Sequence, residues 1–304
     1  MGNPDNEKYR SKMAYYILKL EAADVMNNTV DLVQGKLRLG TKCSFISTSI
    51  ANTKDISKQD VNAFSTEKLQ ELWWNLEVLR ASVSIDKAML FDELLSIFVS
   101  LSSADSTPTT LKASLLGKIL SIISNMQKIK SSLEDTVLSK ALELLPRTKT
   151  SLDFLLGFSD VLRTLIRQKS EKLTTEEAEH VIKTLSSNFY LSSSDIRKHS
   201  LNIVGQVYIV RGLVVPKLIS QCQQISELPL DLANARTLQM HIRNVGINFT
   251  VTGTEVAIDN VIPQYLFGLL TVPFQPVWEA AMDALAKVSE KDQKTIWDIA
   301  FSWI

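Results

Sequence analysis

Apolar residues recur at helical spacing along most of this chain. Leu69, Leu72, Leu76 and Leu79 form one such set, Phe91, Leu94, Leu95 and Phe98 a second, and Leu115, Ile119, Ile122, Ile123 and Met126 a third. Leu152, Leu155, Leu156 and Leu162 continue the pattern, followed by Ala178, Val181, Ile182, Leu185 and Phe189, then by Ile196, Ile203, Val204 and Val207. Each set lies on one face of an amphipathic helix, and the chain as a whole predicts about a dozen helices. Start signals fall where the pattern needs them. Ser131 with Glu134, and Thr174 with Glu177, have the spacing of a capping box, in which each side chain satisfies an orphan amide at the helix start.

Short polar joints at 102–110, 147–151 and 192–194 separate the helices and predict antiparallel pairs. Segment 39–65 is different: rich in Ser, Thr, Asn and Lys with scattered apolar residues, it reads as a mobile loop or insertion. It would set an amino-terminal helix pair within 1–38, around 9–26 and 29–39, apart from the helical repeats of 66–304. The helix starts at Ser194–Leu201 and Phe274–Ala281 each place a turn just before an apolar residue, with a small residue one turn later. Their offset is two units of roughly 40 residues, the period of two-helix HEAT-type repeats. The expected fold is therefore all-α, a HEAT/armadillo-like α-solenoid of antiparallel helix pairs, in which neighbouring hairpins extend one core.

Composition narrows the function more than it names one. The 304 residues are 45% hydrophobic and 22% charged, with only 10 glycines and 8 prolines, too little punctuation for a β-sandwich. The 33 basic residues equal the 33 acidic ones, so any nucleic-acid contact must be local. No run approaches the length of about 18 apolar residues that a membrane span needs. Cys43 and Cys222 are too few for a disulfide framework and point to a reducing compartment.

Candidate chemistry is sparse. His180, His199 and His241 are far apart, and neither cysteine stands at zinc-ligand spacing from one, so no metal or cofactor is expected. Leu116-Gly117-Lys118 lacks the rest of a phosphate-binding loop and falls within a helix. Ser65 and Lys68 have Ser-x-x-Lys spacing, but Ser65 reads as a cap for the helix that carries Leu69. Adjacent Trp73 and Trp74 point about 100° apart on a helix, so one packs in the core and the other is partly exposed. The chain is read as a non-enzyme without a small-molecule substrate. Basic residues gather at Arg163, Arg167, Lys169 and Lys172, at Arg197 and Lys198, and at Arg236 and Arg243. If corresponding turns of successive repeats align, these form a stripe that meets RNA phosphates or an acidic partner; otherwise they are solvated helix ends.

At the carboxy terminus, 294–304 carries no helix stop signal, and the chain reads as cut within a helix. Ile296, Ile299 and Trp303 fall on one face of that helix, with Trp297, Ala300, Phe301 and Ile304 on another. A helix apolar on two sides is normally buried on both. Trp297, Phe301, Trp303 and Ile304 are therefore expected to form the interface to a further repeat, exposed here and prone to self-association.

Several runs in the carboxy-terminal half are not required by helix periodicity. Cys222-Gln223-Gln224-Ile225-Ser226-Glu227-Leu228-Pro229-Leu230 leads to Asn234-Ala235-Arg236 and Ile242-Arg243-Asn244-Val245-Gly246, then to Tyr265-Leu266-Phe267-Gly268-Leu269-Leu270-Thr271-Val272 with Phe274, Pro276, Val277 and Trp278. With Ser151, Leu152, Leu155 and Gly157, and Val215, Pro216 and Leu218, this succession resembles the down-regulated-in-metastasis family of very large HEAT-repeat proteins. The resemblance covers about 151–304 and is most specific over Tyr265 to Trp278. Pro273 stands where that family leads one to expect a basic residue. The resemblance implies a nucleolar, nuclear scaffold of the small-subunit processome, with processome proteins and pre-ribosomal RNA or U3 small nucleolar RNA as partners, no membrane, and no catalytic residues. Without it, the same residue patterns suit a HEAT-type adaptor that binds protein peptides in transport or signalling.

Overall fold

The computed structural model describes residues 30–33, 36–39, 44–81, 87–103, 108–126, 131–168, 173–251 and 256–303. Packing divides the chain into two compact units, 1–105 with 121–129, and 106–120 with 130–304.

In the first unit the structure corrects two expectations. Where a helix is expected over 29–39, β1 (Val30–Val33) and β2 (Lys36–Leu39) pair as an antiparallel hairpin, with Val30 opposite Leu39 and Asp31 opposite Arg38. Val30, Leu32, Leu37 and Leu39 stand at period two along the two strands, which favours strands over a helix. The expected helix at 9–26 lies outside the described residues. Where a mobile loop is expected over 39–65, helix α1 (Ser44–Ile56) forms, followed by a 3-10 turn at Val61–Ala63. Its buried face carries Ser49, Thr53 and Ile56, and Thr53 donates its hydroxyl to the Ser49 carbonyl at 2.7 Å. Small hydroxyl residues can line a buried helix face when they bond their own backbone in this way, so a polar composition concealed an ordered element.

Helix α2 (Thr66–Ala81) packs on α1, and α3 (Phe91–Ser102) lies against the 3-10 turn, whose Asn62 amide donates to the Ser100 carbonyl at 2.8 Å. The Lys68 amide donates to the Ser65 hydroxyl at 3.4 Å, the capping role expected for Ser65. Trp73 is buried and Trp74 half-buried, with rings edge-to-face at 5.1 Å between centroids.

The second unit contains the part of α4 (Thr110–Ser124) up to Leu120, then α5 (Ser131–Thr148), α6 (Leu152–Arg167), α7 (Thr175–Ser186) and α8 (Ser194–Val210). It continues through α9 (Lys217–Glu227), α10 (Ala235–Val251), α11 (Val256–Leu269), α12 (Gln275–Lys291) and α13 (Gln293–Trp303). Local signals explain the helix starts. Ser151 accepts from the Phe154 amide at 3.4 Å, and Ser193 from the Ile196 amide at 3.4 Å. Thr174 and Glu177 form the expected capping box at 3.2 and 2.9 Å. The side chains of the second expected box, Ser131 and Glu134, lie outside the described residues. Helix α8 ends in a Schellman motif: Gly212, at φ 66°, donates to the Ile209 carbonyl at 3.0 Å and Leu213 to the Tyr208 carbonyl at 2.9 Å.

Helices two apart in sequence pack side by side, α6 on α8 and α10 on α12 in one row, α5 on α7 and α11 on α13 in the other. Hydrogen bonds that tie neighbouring pairs recur near one repeat length. Ser114 donates to Asp153, 39 residues away; Lys149 donates to Ser187, 38 away, at 2.6 Å; Arg243 donates to Asp283, 40 away, at 2.8 Å. This is the all-α, solenoid-type fold expected from the sequence, with the β1–β2 hairpin in the first unit as the departure. The row is irregular at α9. With 11 residues against 17 in each of α8 and α10, this short helix packs between those two, while α11 reaches past it to α7 and the 3-10 turn Ser187–Tyr190.

Helices α4 and α6 approach each other closely. A Cβ on Gly117 would lie 2.2 Å from the Asp153 carbonyl carbon, and one on Gly157 would lie 2.2 Å from the Gly117 carbonyl oxygen. Both obstacles are backbone, so neither position can admit a methyl group unless the helices separate. Gly157→Ala is expected to lower the urea midpoint by the equivalent of roughly 1–3 kcal/mol, the usual cost of overpacking. An unchanged midpoint in circular-dichroism unfolding would show that this crossing yields freely.

Candidate functional site

Among the described residues the candidate cations do not form a continuous free stripe. Arg163, exposed on α6, is paired with Asp160 one turn earlier at 2.9 Å. Lys198 of α8 pairs with Glu227 of α9 at 2.8 Å, and Arg243 of α10 with Asp283 of α12 at 2.8 Å. Arg167 and Arg236 are exposed, whereas Lys169 and Lys172 lie outside the described residues. Exposed pairs of this kind contribute about 0–1 kcal/mol each, so a competing phosphate could replace the carboxylate, but each acid already cancels part of the local positive field.

Arg197 requires a correction. It is 4% exposed and cannot meet an RNA phosphate at the surface. Successive residues of a helix point about 100° apart, so Lys198 turns outward while Arg197 turns into the protein. There its Nη1 donates to the Leu191 carbonyl and to the Thr271 hydroxyl, the latter at 3.3 Å. It thereby ties the start of α8 to the turn that precedes α12. Desolvation holds the guanidinium below its ordinary pKa, with the Tyr265 hydroxyl acting in the opposite direction.

Around Arg197 lies a buried polar network. The Asn188 amide donates to the Lys149 carbonyl at 2.7 Å and to the Ser200 hydroxyl at 2.9 Å. Tyr265 donates to the Cys222 carbonyl at 3.1 Å and shares a 2.8 Å hydrogen bond with Ser226, while its ring meets Phe189 edge-to-face at 6.3 Å. Burial pushes both the Cys222 thiol and the Tyr265 phenol up, so both stay protonated at neutral pH, and Cys222 is an inert core residue.

A cavity of about 120 Å³ opens beside this network, at the carboxy-terminal end of α9. Its polar lining is Ser194, Arg197, Ser226 and Tyr265; its apolar walls come from α9 and the turn after it, from Leu238 of α10, and from Leu269, Val272 and Val277. Two of the runs that helix periodicity does not require, Cys222 to Leu230 and Tyr265 to Trp278, thus supply most of this cavity. Their clustering is invisible in the sequence because the α9 irregularity is what brings them together.

At the carboxy-terminal end, Trp297 is 54% and Phe301 72% exposed, with ring centroids 5.8 Å apart, while Ile299 on the other face of α13 is buried. Trp278 and Met282 of α12 are exposed as well. The side chain of Trp303, and Ile304, lie outside the described residues.

No family model matches the chain. Over 236 residues, 78% of this chain, the sequence is 31% identical to U3 small nucleolar RNA-associated protein 20 of Saccharomyces cerevisiae. The chain belongs to the U3 small nucleolar RNA-associated protein 20 family. It spans 9% of the length of that relative and so corresponds to a small part of such a protein. This is the family that the Cys222 to Leu230 and Tyr265 to Trp278 runs point to.

His199 of α8 offers a pH readout for the region. Burial lowers its pKa below the ordinary 6.5, with Asp195 opposing, Lys198 and Arg163 reinforcing, and Glu227 opposing. The folded state thus disfavours protonation: stability is complete above pH 6.5 and declines as pH falls below that value, because the unfolded chain takes up the proton first. The decline levels off below the folded pKa. Urea midpoints measured across this range should fall in the native chain and fall less in His199→Gln; identical profiles would remove His199 as the cause.

Proposed function

We propose that this chain is part of a non-enzymatic scaffold in small-subunit ribosome biogenesis, within a nucleolar protein acting in pre-ribosomal RNA processing and 18S RNA maturation. The observation that carries the reading is the 31% identity over 236 residues to a protein named for its association with U3 small nucleolar RNA. The stacked helix rows are compatible with it, since such arrays present long surfaces and bind by distributed contacts. Processome proteins, and pre-ribosomal RNA or U3 RNA, are the partners this role requires, with contacts spread over far more repeats than one chain of this length contains.

The test is recovery of the full-length protein from cells under native conditions, followed by sequencing of the RNA and mass spectrometry of the proteins. Pre-ribosomal RNA, U3 RNA and processome proteins are expected together; transport or signalling cargo without them would overturn the reading in favour of an adaptor. A direct RNA contact through the exposed cations has its own signature. Charge reversal at Arg163, Arg167 and Arg236 together should weaken RNA retention and flatten its salt dependence, by about 0.7–0.9 in logarithmic slope for each phosphate that is no longer neutralised. Arg197 is excluded from this set because its reversal would bury an uncompensated carboxylate. Unchanged retention and slope would make those residues solvated helix surface.

The exposed face of α13 is the part of the chain best suited to self-association. Trp297→Glu with Phe301→Glu is expected to shift the isolated chain toward monomer in sedimentation velocity with its helix content intact. The same distribution in both proteins would remove α13 as the contact.

A further inference from the structure

The cavity at the end of α9 holds an imbalance that the fold itself does not resolve. Arg197 is 4% exposed and lines the cavity, yet both of its hydrogen-bond acceptors, the Leu191 carbonyl and the Thr271 hydroxyl, are neutral and are reached from a single nitrogen, Nη1. No carboxylate pairs with it among the described residues. Two acids on the elements beside it serve other groups: Asp195, exposed on the first turn of α8, acts on His199, and Glu227 of α9 pairs with Lys198. A buried cation without a counter-charge is costly, and the remaining donors of its planar fork suit a carboxylate.

The walls select the kind of anion. Leu228, Leu238, Leu269, Val272 and Val277 line the same cavity as Arg197, and apolar walls strengthen a charge pair by excluding water. At about 120 Å³ the space is comparable with engineered cavities that hold a single benzene-sized group, so it fits one side chain rather than a nucleotide. Ser194, in the first turn of α8, adds a hydroxyl and the positive end of a helix dipole on the polar side. Leu230 lines the cavity while remaining half exposed, and the neighbouring Leu232 is more exposed still, so apolar surface lies beside the cavity. Charge and shape together favour a peptide that carries an acidic residue next to an apolar one.

We infer that this cavity receives the carboxylate side chain of a partner protein's glutamate or aspartate, paired with the Arg197 guanidinium. The inference rests on the cavity and not on the ribosome-biogenesis role, and either can fail alone.

The test uses the 304-residue chain with methyl-labelled Ile, Leu and Val, titrated with the capped peptide Gly-Leu-Glu-Leu-Gly and its glutamine counterpart. The glutamate peptide should shift the methyl signals of Ile225, Leu238 and Val277 and bind at least tenfold more tightly than the glutamine peptide. Leu230→Trp, a change at a half-exposed position, should obstruct the cavity and abolish those shifts while circular dichroism stays native. Arg197→Met, where it folds, should equalise the two peptides. Equal affinities in the native chain, or no shifts with either peptide up to about 10 mM, a binding free energy of under about 3 kcal/mol, would overturn the inference. Displacement of the glutamate peptide from the same methyl groups by an oligouridine would overturn it in favour of RNA.

Discussion

Helices α4 and α6 meet backbone to backbone, with Gly157 against the Gly117 carbonyl, and α10 meets α12 in a similar way where Gly246 faces Ala284. Such approaches leave no room for an intervening side chain, so they fix the separation of the helices they join. In the second unit each pair buries its apolar face on its neighbour, and that burial depends on the spacing being held. Asp153 depends on the same crossing: it accepts from Ser114 and lies 3.7 Å from the buried Lys118 ammonium, pairings that would not survive a separation of α4 from α6.

Where the row departs from its period, the polar interior appears. Helix α9 is too short to complete the pattern and lodges between α8 and α10, with the Gly205 backbone against the Gln223 side chain. The turn after α9, the end of α11 and the start of α12 then converge on Arg197. Gly268 admits this convergence, because a Cβ there would collide with the Phe189 carbonyl and crowd the Arg197 side chain. The break in the repeat therefore has a chemical content that the regular pairs lack: a desolvated guanidinium, two hydroxyls, a phenol and a cavity.

This contrast also separates two kinds of basic group. The surface cations Arg163, Lys198 and Arg243 are each held by an acid, so they contribute a weak and partly cancelled field that suits many shallow contacts. Arg197 has no acid of its own among the described residues and sits among apolar walls, which suits one selective contact.

Much of the architecture is legible in the sequence because its causes are local. The period of Leu69 to Leu79 or Val181 to Leu185, and the Thr174–Glu177 capping box, are decided within a few residues of each other, so they can be read without knowing what they pack against. Even there, the period-two hairpin at 30–39 reads as a helix and the buried face of Ser49 and Thr53 as a loop, because composition hides local hydrogen bonding such as that of the Thr53 hydroxyl to the Ser49 carbonyl. The site is less legible. Arg197 stands four and seven residues before Leu201 and Val204, on the buried stripe of α8, and that spacing separates it from Lys198; what the guanidinium meets there, including Thr271 74 residues away, has no local signal. What such a polar side chain meets in the core is decided by partners distant in sequence, and only the tertiary structure brings those partners together.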